Sequence, residues 1–91
     1  MRKLNQNYKV LVGNGGLEYC IVQSNEDGHQ SYGIELKCSL FGDEDTARID
    51  DISTDFRFMK NLVDILAENL VTPCTARDIV QDILIAHAEA I

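Results

Sequence analysis

The spacing of apolar residues changes once along the chain, near residue 53. Before it, apolar and polar positions alternate. Tyr32, Ile34, Leu36, Cys38 and Leu40 interleave with Gly33, Glu35, Lys37 and Ser39, the period of a strand with one buried face. The same reading predicts strands over 8–12, 17–23, 31–41 and 46–52. In the first, Tyr8, Val10 and Val12 face one side and Lys9 and Leu11 the other; in the last, Ala47 and Ile49 point inward and Arg48 and Asp50 outward. Residues 1–7 are polar and expected to be flexible. Gly13-Asn14-Gly15-Gly16 reads as a hairpin turn, and Ser24 to Gln30 as a polar loop centred on Asp27-Gly28.

Beyond residue 53 the apolar spacing becomes three and four. Phe56, Met59, Val63, Leu66 and Leu70 share a helical face that Leu62 and Ile65 widen. Ser53 or Asp55 can cap this helix, predicted over 55–70. Val71-Thr72-Pro73 ends it, because a residue before proline is driven towards extended backbone. Thr72 then caps a second helix over 73–90, with Pro73 at its first position; Thr75 with Asp78 is a rival cap. Ala76, Ile79, Val80, Ile83, Leu84, His87 and Ile91 form its apolar face. Helices of about four turns are unstable alone in water, so both must cover something apolar.

Four successive strands followed by two helices predict the α+β class, a four-stranded antiparallel meander with both helices on one face. A turn centred between Asp27 and Gly28 sets Leu17 opposite Cys38, Tyr19 opposite Leu36, and Ile21 opposite Ile34. Cys20 and Cys38 then lie on opposite faces and cannot bridge. On the outer face, Leu11, Cys20 and Val22 interrupt a polar surface. They are the candidate interaction surface for a protein partner or a sheet-face homodimer.

The 91 residues make one domain, and a hydrophobic fraction of 45% is that of a folded chain. With 15 acids against 8 bases the net charge is −7, which argues against nucleic-acid and anionic-membrane partners. Met1-Arg2-Lys3 is the only basic cluster. No apolar run reaches the roughly 20 residues of a membrane span, and the N-terminal residues lack the apolar run expected of a signal peptide. Three cysteines without metal-type pairing point to the cytoplasm and reduced thiols.

No catalytic constellation emerges. Gly13–Gly16 lacks the Gly-Lys-Ser/Thr and the following helix of a phosphate loop. Cys74, near the start of the second helix, is a possible reactive thiol, since a helix N-terminus favours a thiolate; no histidine stands near it in sequence as a base. His87 suits packing against the dipole of the last turn, and His29 suits a solvated loop. Neither has a second ligand at helical spacing, so no metal or cofactor is expected. Asp43, Glu44, Asp45, Asp50, Asp51 and Asp55 lack an EF-hand's central glycine and closing glutamate, and read as a solvated acidic edge.

Tyr32-Gly33-Ile34-Glu35-Leu36, Ile52-Ser53-Thr54-Asp55, Val71-Thr72-Pro73 and Asp78-Ile79-Val80-Gln81-Asp82 together resemble a group of small uncharacterised bacterial proteins, largely from Gram-positive anaerobes. The likeness spans residues 8–85 and departs at Cys74-Thr75, where a bulkier apolar or imidazole pair is usual. It implies a cytoplasmic protein without assigned activity, so it transfers no site residues. The expectation is a non-enzymatic interaction or self-association module. A ligand-binding sensor with a groove between helices and sheet is the alternative, and thiol chemistry at Cys74 comes third.

Overall fold

Four antiparallel strands in sequence order form the floor of the molecule: β1 (Lys3–Val12), β2 (Leu17–Glu26), β3 (His29–Cys38) and β4 (Asp45–Ser53). Above them lie α1 (Phe56–Glu68), mainly against β1 and β2, and α2 (Pro73–Glu89), against β3 and β4. The computed structural model describes residues 3–13, 15–39 and 42–89. Met1, Arg2, Asn14, Leu40, Phe41 and Ile91, each given a place in the sequence reading, lie outside these. The architecture is the predicted α+β meander with two C-terminal helices.

The strand limits differ from the expected ones at several ends. β1 starts at Lys3 rather than 8, so residues 3–6, expected to be flexible, are paired with β2. A register shift between Gln6 and Tyr8 marks a bulge there and breaks the simple alternation. The loop expected at 24–30 shrinks to a two-residue turn. Asp27 and Gly28 take φ values of 52° and 80°, the left-handed pair whose twist matches that of the flanking strands. Between β2 and β3 the register is the predicted one, with Leu17 opposite Cys38, Tyr19 opposite Leu36 and Ile21 opposite Ile34.

β4 departs most from regularity. Ile34 pairs with Ile49 and Tyr32 with Ser53, so Gly33 alone faces the three residues Asp50, Asp51 and Ile52. The extra residues bulge, with Asp51 at a φ of 56°. Gly33 is what admits them. A Cβ built there would stand 2.2 Å from the Ile49 carbonyl oxygen and 2.9 Å from the Asp50 Cα.

Tyr19, Ile21, Ile34 and Leu36 from the sheet meet Met59, Leu62, Val63 and Leu66 of α1 in one buried cluster that Ala76 and Val80 of α2 complete. Complete burial of such side chains stabilises the fold by about 1.5–3 kcal/mol each. Asp55 caps α1, accepting from the backbone N–H groups of Arg57 at 3.0 Å and Phe58 at 3.4 Å. At the other end Val71 N–H donates to Leu66 and Leu70 N–H to Ala67, the double closure of a left-handed cap. Leu70 occupies the left-handed position at φ 52°. The sequence reading placed Leu70 and Ile65 on the buried face, and both are exposed. The helix ends before Leu70, and Ile65 sits about 100° round the axis from Leu66, beyond the rim of the stripe.

α2 is held more lightly. Of its expected apolar face only Ala76 and Val80 are buried, and Ile79, Ile83 and Leu84 are partly so. His87 is exposed and lays its ring against Phe58, centroids 4.6 Å apart, which ties the end of α2 to the start of α1.

Candidate functional site

The outer sheet face does not carry the expected apolar patch. Leu11 is exposed, but Cys20 and Val22 are buried at 1% and 5% exposure. Both lie in a central strand, and Cys20 stands between Lys9 of β1 and Glu35 of β3. Long charged side chains cross over it, Lys9 to Glu18 at 3.7 Å and Lys37 to Glu18 and Glu35 at 3.9 Å. Their aliphatic stems shield a small neighbour while their heads stay in water. The Cys20 thiol contacts Glu18 at 3.5 Å. Burial first, then the adjacent Glu18 charge, pushes its pKa up to about 11. This is a thiol held in its unreactive form.

Cys20, Cys38 and Cys74 are all free, and Cys38 lies in the core on the opposite face from Cys20. Cys74 is exposed, one residue inside α2, with its sulfur 3.4 Å from the Thr72 hydroxyl. His87 is thirteen residues further along the same helix, about 20 Å away at 1.5 Å per residue, and is engaged with Phe58. The two do not form a pair.

The fold does bring together residues that the sequence kept apart. Ser24, Asp27, His29, Gln30, Ser31, Asp51 and Thr54 line a recess of about 350 Å³ where the β2–β3 hairpin meets the end of β4. Ser24, only 6% exposed, touches Ser31 hydroxyl to hydroxyl at 3.4 Å. Ser31 in turn donates to the Asp51 carboxylate, and Gln30 donates from its amide nitrogen to the Tyr32 hydroxyl at 3.2 Å. Asp51 reaches this position because the bulge swings β4 over Gly33. The sequence reading gave none of these residues a place in a common site; His29 and Asp51 were weighed as metal ligands, Asp27 as the centre of a turn and Thr54 within a motif. The one signal was a glycine inside a strictly alternating strand, which marks a close backbone approach.

The groove between helices and sheet that a sensor was expected to use is filled by Met59, Leu62, Val63 and Leu66, each at most 1% exposed. Among the described residues no helix is long and apolar enough to cross a membrane, and no group of three or more His, Cys, Asp or Glu side chains could hold a metal ion.

Most of the large apolar side chains left in water belong to the helical layer. Ile65 on α1, Leu70 between the helices and Ile85 on α2 are exposed at 41%, 57% and 50%, and Leu11 alone represents the sheet among the described residues. No curated protein and no solved structure shows significant similarity to the chain. A family model described as a family of unknown function, DUF6514, matches residues 1–86. With nearly its whole length matched, the chain belongs to that family.

Proposed function

We propose that the domain is a non-catalytic cytoplasmic module that associates with itself or with another protein, and that its contact surface is the helical layer. The observation that carries this reading is the placement of Ile65, Leu70 and Ile85 in water on that layer. Exposed large apolar side chains are a common mark of a partner surface where they form a patch. The light anchoring of α2 supports the same reading, since its partly buried Ile83 and Leu84 have apolar surface left to cover. The outer sheet face is a poorer candidate, because Cys20 lies beneath charged side chains and Val22 is buried as well. Three unpaired cysteines, two of them buried, suit a reducing compartment.

Light scattering across a concentration series, with capture from lysate beside it, tests the proposal. Ile85→Glu and Ile65→Glu should abolish association and leave the unfolding midpoint nearly unchanged, whereas Leu11→Glu should preserve it. A wild-type chain that stays monomeric and captures nothing would sink the reading.

A further inference from the structure

The geometry points to a second, unassigned site: the recess between the β2–β3 hairpin and the end of β4 binds a small organic cation bearing N–H donors, of the alkylammonium or guanidinium type. Its volume of about 350 Å³ lies at the small end of the roughly 300–1,000 Å³ typical of ligand pockets. Three separate segments build it, so its lining is a product of the tertiary fold. One wall is the nearly buried Ser24.

The class of ligand follows from which hydrogen-bonding capacity remains in the recess. Ser31 has a single hydroxyl proton and directs it to Asp51. In the contact between the two serines, Ser24 must therefore be the donor. That leaves oxygen lone pairs on Ser24, an acceptor with little access to bulk water. Gln30 has one amide N–H on Tyr32, and its carbonyl end is a further acceptor. Asp27 and Asp51 add carboxylates that only accept when ionised. Among the described residues no lysine or arginine lines the recess. His29, Thr54 and the second amide N–H of Gln30 supply the minority of donors. Such a lining matches a cation carrying several N–H groups, and charge-assisted bonds to its carboxylates are the stronger kind. An anion meets like charge there, and a neutral polyol leaves the carboxylates without a counter-charge. Asp27, His29 and Asp51 do not converge as a metal-ligand set.

Agmatine, which carries one ammonium and one guanidinium, is the probe. Titrated into the full-length ¹⁵N-labelled chain, it should shift backbone resonances of residues 24, 27–31, 51 and 54 saturably. Phosphate and glucose should leave those resonances in place. Asp51→Asn and Ser24→Ala should each weaken binding by about ten-fold or more, while Asp82→Asn, which removes the same charge from α2, should not. The Ser24 variant keeps the test decisive should the Asp51 variant lose its fold. A Gly-Arg-Gly peptide in parallel distinguishes a free metabolite from a partner's basic side chain, the tighter binder naming the source. Shifts spread over all the acidic residues and abolished by about 150 mM salt would indicate counterion screening and overturn the proposal. So would equal binding by phosphate or by Asp51→Asn.

Discussion

The phenolic hydroxyl of Tyr19 donates to the carbonyl oxygen of Val71 at 2.6 Å, across 52 residues of chain. Tyr19 is in a central strand, and Val71 is the residue just past the left-handed cap of α1. Both are buried, at 1% and 4% exposure. The bond therefore fixes the point where the first helix hands over to the second, directly above the middle of the sheet. It serves a carbonyl that leaves one helix before the next has begun.

Tyr19→Phe keeps the ring in the core and removes only this donor. The expected cost is about 1–3 kcal/mol, because a buried carbonyl loses its partner. A urea titration followed by circular dichroism should show the lower midpoint with an unchanged slope. An unchanged midpoint would mean that water takes over the Val71 carbonyl.

Gly33→Ala places a methyl where the Ile49 carbonyl and the Asp50 backbone already stand. Both obstacles are backbone, so β4 itself must move. The loss should be at least about 2 kcal/mol, within the range for overpacking a closed site. Hydrogen exchange should show faster opening of β4 than of β1. If β4 stays as protected as in the wild type, the bulge has more room than its geometry shows.

Leu70→Gly should be neutral or stabilising, despite deleting a large side chain. A leucine at φ 52° carries about 1–2 kcal/mol of left-handed strain. Glycine relieves it, offset by about 0.5–1 kcal/mol of extra freedom in the unfolded chain. Thermal unfolding decides the point. A loss of about 1 kcal/mol or more would show that Leu70 packs more than its 57% exposure implies.

Stability should fall on the alkaline side. The Cys20 thiol rises from an ordinary 9.0 to about 11 in the fold. The unfolded chain therefore releases this proton first, and stability present below pH 9 is lost progressively towards pH 11. Burial also raises the Tyr19 phenol, which extends the decline above pH 10. Cys20→Ala should flatten the curve between pH 9 and 10 and leave the later fall. A wild-type midpoint constant up to pH 11 would contradict the assignment.

Much of this molecule was legible in sequence because periodicity is local. An alternating strand and a three-four helix reveal themselves within a dozen residues, and the register of β2 on β3 followed from keeping apolar residues on one face. The Thr72-Pro73 junction needed only the chemistry of the residues at it. Exposure was not legible in the same way. Cys20 is buried beneath Lys9, Glu35 and Lys37 arriving from neighbouring strands, and Ile65 is exposed because it lies beyond the rim of the face that α1 turns to the sheet. The recess was hidden for the same reason, since Ser24, Ser31 and Asp51 become neighbours only through a bulge that Gly33 admits.

The chain by itself therefore determined the elements, their order, the register of β2 on β3 and most of the buried face of α1, each set by interactions between near neighbours or by one hairpin. The tertiary structure alone decided where β4 bulges, which outer-face residues leave water, and which polar groups converge. Those outcomes depend on strands and helices meeting across tens of residues, where packing of backbone against backbone outweighs local preference.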